Sequence, residues 1–475
     1  MAATALSTVA NRRAKHSGCV VALCLLAVSA AQADPLSFDA AWEILNSRSD
    51  RLAGDRAALR SKELQTQGLK GLGGPSVSMF ASSLAYNANL NVNLDPLQQK
   101  LLQFEQLLPL LGLQLPSPSP IPALPASYTF NQHDTLTTAS LSGVWPLYTG
   151  GAADATRGFV RGQEAEARAD ADNSSHELST LLVQRYFGAQ LAMKAAHLGQ
   201  AALQAIEQHD ASAERNLAAG LISRIERLQA RVALIEAQRS AGKAEDDAEL
   251  ATTTLAHTLH QPAPVTPVTP LFVFSHSIAP LAVFLRAAQE RHPGLAKVAA
   301  KQQQAEELHL GQEALRKPQV FAFGQRQIKA GNADWMVGVG ARWTLFDSVD
   351  RNALGGATQK LVDQASLAMS QARSDIALLV EKNWRAVEQG RRQFLAMRPM
   401  LQLAGEMREV RKAALQAGTG TALEGMDAEV NQARAQTQSA QSAYDYVLAL
   451  AQLLQSCGLS EQFGSYSARA DIRLE

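Results

Sequence analysis

The sequence predicts a mainly helical protein with a small β part, built from two tandem copies of one pattern. Two long segments, at about 150–217 and 350–415, are rich in alanine and glutamine and contain a single proline, Pro399. Landmarks of the first half recur in the second. Apolar and polar residues alternate in four shorter segments, as in β-strands with two different faces; the segments are about 76–94, 135–148, 318–330 and 334–347, and the third alternates least clearly.

The N-terminal segment, 1–33, has the features of a secretory signal peptide. Residues 1–18 carry three bases and no acid, residues 19–28 are an unbroken apolar run, and the small residues of AQA at 31–33 suit cleavage. The run is too short to span a membrane as a helix. Cleavage would remove Cys19 and Cys24, so the mature chain would keep only Cys457 and form no intrachain disulfide.

Charge and motifs exclude several classes of function. The chain has 44 basic and 44 acidic residues, and no excess of basic residues points to nucleic acid. No apolar run of about 18 residues follows the signal peptide, so no transmembrane helix is expected. We find no HExxH, P-loop or GxSxG motif, and no cofactor site. His257 and His260 have metal-ligand spacing, but their place at a helix end explains them more simply. An enzyme is not expected.

The duplication is recognised from landmarks at two fixed spacings. At the shorter spacing, WPLY at 145–148 is matched by WTLF at 343–346, the pair AG at 219–220 recurs at 417–418, and Tyr186 falls on Trp384. At the longer spacing, SDRL at 49–52 is matched by HPGL at 292–295. The change of spacing means that the first repeat holds an insertion, which falls within a Pro- and Leu-rich segment.

The domain boundaries follow from these spacings. In the first repeat we expect helical turns at 97–108 inside an otherwise irregular hairpin loop. Between the repeats we expect an extended linker, because each of its prolines disfavours helix in the residue before it. The predicted parts are a signal peptide at 1–33, a first repeat at 34–260 with a loop at 95–134 and a helical tip near 220, a linker at 261–275, a second repeat at 276–457 with a tip near 418, and a tail at 458–475.

The strands have one apolar and one polar face. In YNANLNVNLD at 86–95, asparagines alternate with aliphatic residues. The apolar set of this strand is even-numbered and includes Leu84, whereas that of the second strand is odd-numbered and includes Leu141 and Trp145. A soluble sandwich gives this pattern, and so does an outer-membrane barrel with a lipid face and a watery lumen. Trp145 and Trp343 fit either an interfacial aromatic girdle or ordinary core packing.

Four strands cannot close a membrane barrel, because the smallest barrels have eight. An open sheet in lipid would leave unpaired edges that hydrocarbon does not tolerate. Either the sheet lies outside a membrane, or several copies share one barrel, and a homotrimer would supply twelve strands.

The long helical segments predict rods on the order of 100 Å, at about 1.5 Å per residue. Their small residues suit a ring of closely packed helices, although an ordinary coiled coil fits as well. Each rod breaks at a tip in which Gly220 or Gly418 can cap the helix with positive φ. Ser223 and Thr421 each precede a glutamate by three residues, the spacing of a capping box.

With these features the sequence resembles the TolC family of outer-membrane efflux and secretion proteins. The signal peptide, the two helix–strand–strand–helix repeats and the paired tips LAAGLISRIE and LQAGTGTALE carry the resemblance. It implies a homotrimer with a twelve-stranded barrel in outer-membrane lipid and a coiled-coil tunnel across the periplasm. It also implies a periplasmic adaptor and an inner-membrane transporter as partners, in a tripartite efflux pump or a type I secretion system.

The resemblance assigns roles to residues at the tips. Glu424 and Asp427 would ring a closed aperture, although a solvated helix face would look the same. Gly420 stands where members of the family carry a basic latch residue, and Arg224 in the first tip is the possible substitute. The residues expected to face the adaptor are Gly220, Leu221, Ser223, Gly418, Thr419 and Thr421.

One alternative remains open at this stage. A non-channel periplasmic coiled-coil scaffold, or an envelope tether with a small β-platform, would share the helical rods. The polarity of the strands favours the channel. The transported substrate could be a drug, a metal ion or a secreted protein, since the sequence does not distinguish among them.

Overall fold

A computed structural model of the protein describes residues 35–107, 125–328, 334–346 and 348–474. The predicted signal peptide and most of the Pro-rich part of the first loop lie outside these residues. The first repeat contains β1 (Pro35–Leu36), α1 (Phe38–Arg48), α2 (Asp50–Gly68), β2 (Ser76–Asn93), α3 (Asp95–Leu107), β3 (Ser127–Tyr148), α4 (Ala152–Ala218) and α5 (Arg224–Thr258). The rest contains β4 (Thr266–Pro267), β5 (Leu271–Val273), α6 (Leu281–Arg291), α7 (Pro293–Ala314), β6 (Gln319–Gln327), β7 (Trp335–Arg342), α8 (Arg351–Gln416), α9 (Ala422–Ser456), α10 (Phe463–Arg469) and β8 (Ile472–Leu474).

The helices repeat at the two spacings read from the sequence. Both ends of α6 lie at the longer spacing from the ends of α1, and both ends of α9 lie at the shorter spacing from the ends of α5. The caps repeat as well. The side chain of Ser49 accepts a hydrogen bond from Leu52 N at the start of α2, and His292 Nδ1 accepts one from Gly294 N at the same place in α7. The two halves are therefore copies of one supersecondary unit.

The long helices form a row with two free ends. Toward the hairpin tips the order is α5, α4, α9, α8, and toward the sheet it is α2, α4, α7, α8. Helices of the first repeat (α5 and α2) thus end the row on one side, and α8 of the second repeat ends it on the other. Among the described residues, no helix is both long enough and apolar enough to cross a membrane.

The main core lies midway along the helices and includes an aromatic cluster. Phe38, Tyr186, Phe187, Phe272 and Phe463 pack with ring centroids 4.8–5.9 Å apart. The linker and the tail fold into this core, because β4 pairs with β1 and β5 pairs with β8. Interpreting these segments only as a linker and a tail was therefore incomplete. Burying their apolar residues stabilises them more than their short strands could.

Corresponding aromatic residues of the two repeats hold this region to the long helices. The hydroxyl of Tyr186 on α4 donates to the carbonyl oxygen of Leu36 at 2.6 Å. The indole N–H of Trp384 on α8 donates to the carbonyl oxygen of Ala279 at 3.0 Å. The landmark pair found in the sequence is thus a pair of matching attachment points.

The main sheet has four antiparallel strands in the order β2-β3-β6-β7. Its bounds correct the sequence prediction, since β3 begins at Ser127 rather than at 135, and β6 and β7 are shorter than expected. The last pair between β3 and β6 is Ser140 with Gln327. Beyond it, residues 82–93 of β2 and 127–138 of β3 continue as two strands alone. We call this part the distal ribbon.

The even-numbered residues expected to form the apolar face of β2, from Phe80 to Val92, share one face, but the register with β3 shows that the odd face is the more apolar one in the four-stranded part. Ala81 lies opposite Ala139, so odd-numbered residues of both strands share a face. In the four-stranded part this odd face is apolar, with Met79 beside Leu141. In the distal ribbon the apolar residues are even-numbered, with Leu90 beside Phe130. The apolar side therefore changes face where the four-stranded sheet ends.

The odd face of the four-stranded part is exposed in the single chain, and it continues onto β6 and β7. Trp145 pairs with Ala322, which pairs with Val339. Arg342 lies on the other face, as expected for a side chain turned to a lumen, and it donates to Gln319 Oε1 at 3.1 Å. Trp145 and Trp343 are both exposed, so neither packs into a core of the single chain.

Candidate aperture at the helical tips

Both helical hairpins end in the same turn. In the first, Leu221 N donates to Asn216 O and Gly220 N to Leu217 O, at 2.9 and 3.0 Å. In the second, Thr419 N donates to Ala414 O at 3.0 Å, and Gly418 N makes the matching inner bond. This Schellman arrangement needs a residue with positive φ after the helix. Gly220 has φ +69° and Gly418 has φ +74°.

A capping box starts the returning helix at each tip. Ser223 Oγ accepts from Glu226 N at 3.2 Å, while Glu226 Oε2 accepts from Ser223 N at 2.7 Å. Thr421 and Glu424 make the same reciprocal pair at 3.2 Å each. Hydrogen bonds from the backbone and hydroxyl of Ser223 lower the pKa of Glu226, because they stabilise its charged form. The boxes thus fix where α5 and α9 begin.

A buried ion pair closes the first hairpin, and sequence reasoning missed it. Arg227 on α5 donates to both oxygens of Asp210 on α4, at 2.6 and 3.2 Å. The side chains are only 15% and 8% exposed. Arg231 lies 3.8 Å from the same carboxylate. Asp210 is a charged residue at an inward position of an amphipathic helix, which is a sequence signal of a buried partner.

An exposed ion pair closes the second hairpin. Arg411 Nη1 on α8 lies 3.1 Å from Glu424 Oε1 on α9, with side chains 41% and 42% exposed. The other carboxylate oxygen of Glu424 accepts from Thr421 N in the capping box. Both oxygens of this predicted aperture residue are therefore engaged within its own hairpin. Arg411 was not singled out in the sequence, although residues equally far from a hairpin tip face each other across it.

The remaining predicted site residues lie on exposed surface. Arg224 is exposed and makes no ion pair within the described part of the chain. Asp427 follows Glu424 by one turn and is exposed, beside a groove of about 900 Å³ between α5 and α9. Leu221 is among the most exposed apolar residues, and Thr419 Oγ1 donates to Ala414 O at 3.2 Å. The structure brings Glu424 and Asp427 together on one helix and keeps Arg224 on the other hairpin.

The two hairpins meet just above the tips. The ring of His209 on α4 lies against Gly425 on α9, where an added Cβ would be 3.1 Å from His209 Cε1. Burial lowers the pKa of His209 from its ordinary value. A small apolar cluster, which includes Ile206, Leu234 and Met426, joins the first hairpin to α9 beside this contact. A shift of α9 must therefore disturb α4 as well.

Comparisons with known proteins agree with this architecture. A family model described as outer membrane efflux protein matches residues 284–459, which is most of the second repeat. Solved structures of outer-membrane channels match nearly the whole chain. The chain is therefore similar to this family over its second repeat, and it shares the fold of the solved channels.

The structural likeness is global, although the sequences have diverged. CusC matches with a TM-score of 0.71 and 14% identity, over 88% of this chain and 91% of that one. The Campylobacter jejuni outer-membrane channel CmeC gives 0.69 and 13%, over 92% and 90%. The Neisseria gonorrhoeae channel MtrE in its open state gives 0.68 and 16%, over 90% and 89%. Comparison with curated proteins finds no match.

These comparisons favour the channel over the alternative of a soluble scaffold. The proteins that the chain resembles are outer-membrane channels of Gram-negative bacteria, and the comparisons support an exit duct in the outer membrane. Channels of this family are trimeric and work with pump components. The family is one of channels rather than enzymes.

Proposed function

We propose that three copies of this chain form the passive exit duct of a tripartite efflux pump or a type I secretion system. One observation supports it most. The sheet ends with β2 on one side and β7 on the other, and the row of helices ends with α5 and α2 on one side and α8 on the other. Both layers thus end with first-repeat elements on one side and with second-repeat elements on the other.

Such a subunit can join copies of itself head to tail. Contact between the first-repeat edge of one copy and the second-repeat edge of the next is heterologous, and it makes a ring when the rotation closes. Three copies would supply twelve strands, which is enough for a membrane barrel. They would also supply twelve long helices, because the row toward the tips contains four.

The free edges carry the apolar residues that such contacts need. On α8, Met400, Leu403, Met407 and Val410 are exposed at the three-four spacing of a helix seam. Exposed apolar residues at the same spacing run along the start of α5; they are Leu221, Ile225, Leu228, Val232 and Ile235. Both series lie near the tips. Their burial between copies would remove large apolar patches that monomers seldom expose.

The aperture is proposed at the second tip. Three copies of Glu424 and Asp427 around an axis would set six carboxylates in a narrow opening, where they repel one another and attract cations. We propose Arg411, rather than Arg224, as the latch, because its ion pair with Glu424 ties α9 to α8. Shifting the start of α9 would break this pair and widen the opening.

A helical hairpin of a periplasmic adaptor is the proposed occupant of the groove between α5 and α9. Ala233 and Ala237 line one side of the groove, and Leu423 and Val430 line the other. Ile225, Leu228 and Val232 also border it, but they would be covered by α8 of the next copy. A groove of this kind suits an amphipathic helix that inserts apolar residues at three-four spacing. The tip residues Gly220, Ser223, Gly418 and Thr421 lie at its end and would meet the turn of the adaptor. An inner-membrane transporter would supply the energy.

The purified mature protein tests the proposal directly. In detergent its mass should be that of three chains, and in planar lipid bilayers it should form conducting pores. Val410→Asp, on the free edge of α8, should reduce the trimer, whereas Lys412→Asp two residues away should not. A freely water-soluble monomer without conductance would support a scaffold instead.

A further inference from the structure

The distal ribbon carries an apolar patch on the face opposite to the apolar band of the four-stranded sheet. Leu90 pairs with Phe130 and Val92 pairs with Tyr128, so the four side chains are neighbours on one face. The rings of Tyr128 and Phe130 lie 5.6 Å apart. All four side chains are exposed in the single chain, Leu90 at 62% and Phe130 at 58%. The other face carries polar side chains at Asn89, Asn91, Thr129 and Asn131.

The register indicates the direction in which this patch points. The even face of β3 carries Ser140, Ser142 and Val144 in the four-stranded part, and on β2 it carries Ser78 and Phe80. Ser142 Oγ lies 3.0 Å from Ser78 Oγ. Across the sheet the same face carries Arg342. In a closed barrel this mixed face, which also carries Phe321 and Phe323, lines the lumen, because the other face is apolar apart from Arg326 at the end of the sheet. The patch at Leu90 and Phe130 continues this inner face, so it points to the barrel axis beyond the end of the sheet.

The length of β3 places the patch outside the hydrocarbon. A membrane-crossing strand needs about 9–11 residues. Residues 139–148 of β3 supply such a segment, with the apolar odd face on one side. The twelve residues of the distal ribbon in each strand extend on the order of 40 Å further, at about 3.3 Å per residue. Lipid tails therefore do not cover the patch.

A neighbouring barrel strand does not cover the ribbon either. In a ring of copies β2 would pair with β7 of the next copy, but β7 has 8 residues and β2 has 18. Most of the distal ribbon would thus rise above the rim with both edges free. Three such ribbons would each turn the apolar patch toward one axis, where the patches of the other two copies also lie.

We propose that the distal ribbons of three copies lean together above the barrel and bury their Leu90, Val92, Tyr128 and Phe130 patches against one another. The asparagine rows then face the surrounding water. The assembly narrows the outer mouth of the duct, which therefore has a second constriction at the end opposite to the helical tips. This inference rests on the proposed trimer.

Cross-linking of matched cysteine variants tests the contact. In a Cys457→Ser background, Leu90→Cys should give dimers and trimers on a denaturing gel after treatment with a short bis-maleimide. Asn91→Cys, its neighbour on the opposite face, should remain monomeric under the same treatment. Val92→Cys repeats the test should the Leu90 variant fail to assemble.

A fluorescent label on the same cysteines distinguishes the possible surroundings of the patch. Bimane at Leu90→Cys should be shielded both from iodide in water and from spin-labelled lipid tails. Quenching by the lipid would show that the patch faces the membrane, and quenching by iodide equal to that of Asn91→Cys would show that it is open; either result overturns the contact. In bilayers, the Leu90→Ser/Phe130→Ser double variant should conduct more than the parent protein, and unchanged conductance would overturn the constriction.

The mass of the parent protein separates this inference from the proposed function. A trimer that conducts but gives no cross-link at residues 90 and 92 overturns the ribbon contact alone. A parent protein that is not trimeric overturns both.

Discussion

The two helical tips have the same turn but differ in the ion pair that closes each hairpin. Both end with a glycine of positive φ and start the next helix with a capping box. In the first hairpin, Asp210 and Arg227 are buried and joined by two hydrogen bonds. In the second, Arg411 and Glu424 are about two-fifths exposed and joined by one contact.

This difference predicts that the first hairpin is held in place, whereas the helices of the second can shift. Removing one partner of a buried ion pair costs about 3–5 kcal/mol, because the other charge stays buried alone. An exposed pair typically contributes about 0.2–1 kcal/mol. The two tips thus share one turn but differ in the ion pair between their helices. We expect the buried pair to hold the first hairpin strongly and the exposed pair to hold the second only weakly. The weakly closed tip carries the predicted aperture residues.

The largest expected effect comes from the buried pair. Asp210→Ala should lower the free energy of unfolding by about 3–5 kcal/mol, because Arg227 keeps its burial and loses its closer carboxylate. It would retain only a 3.5 Å contact with the exposed Glu214. Thermal unfolding of the mature protein in detergent, followed by circular dichroism, measures the loss. The double variant Asp210→Leu/Arg227→Leu should recover much of it, because no charge is then left buried. A loss of stability in Asp210→Ala smaller than the about 0.2–1 kcal/mol of an exposed pair would show that the first hairpin is not held by its buried pair.

The glycines should have equal effects at both tips. Gly220→Ala and Gly418→Ala should each cost about 1–2 kcal/mol, because an added Cβ disfavours positive φ. No atom lies within 4 Å of the built Cβ at either position, so crowding adds nothing. Gly405→Ala, inside α8 and equally uncrowded, is the opposite control and should stabilise by about 0.5–1 kcal/mol. Unequal losses at the two tips would mean that the turns are not equivalent.

Removing the proposed latch, the ion pair between Arg411 and Glu424, should change the conductance of the channel more than its free energy of unfolding. Glu424→Gln keeps an acceptor for the capping box but removes the charge that pairs with Arg411. We expect a change of less than about 1 kcal/mol in stability and a higher open probability in planar bilayers. Arg411→Gln should act in the same way, and Arg224→Gln should leave both unchanged. A higher open probability in Arg224→Gln alone would identify Arg224, rather than Arg411, as the latch.

The sequence predicted most of the fold because its signals are local and repeated. The glycines and capping boxes of the tips, the long helices and the two spacings of the duplication all depend on neighbouring residues, and the structure agrees with them. The fold class and the resemblance to outer-membrane efflux channels are confirmed. The roles given to Glu424, Asp427 and Arg224 stay predictions.

The features that sequence reasoning missed depend on how strands pair or on residues far apart. The apolar side of β2 changes between Ala81 and Leu84, but only the register with β3 shows that both strands change together. Asp210 and Arg227 lie on different helices, and their pairing requires the hairpin to be built first. The linker pairs with the start of the first repeat, and the tail pairs with the linker across the whole second repeat, so local propensity does not reveal their strands.

The smallest expected effect is a pH dependence of the contact between the hairpins. The ring of His209 lies against Gly425 of α9, and the charged groups that act on it are Glu429 of α9 and Lys412 of α8; Asp210 follows it on its own helix. Burial lowers its pKa below 6.5, Lys412 lowers it further and Glu429 opposes them. The unfolded chain therefore binds a proton more readily than the folded one. Stability from this group is complete above pH 6.5 and falls as the pH drops below it.

Burial lowers the pKa of His176 and of His292 in the same way, so unfolding of the whole protein combines three histidines. His209→Gln should reduce the loss of stability between pH 7 and pH 5 only in part. Its specific effect should be on the channel, because only His209 lies where the two hairpins meet. If protonation loosens that contact, acid should raise the open probability of the parent protein but not of His209→Gln, and His197→Gln on the same helix should behave like the parent. If acid changes the open probability equally in the parent protein, His209→Gln and His197→Gln, His209 does not couple the two tips.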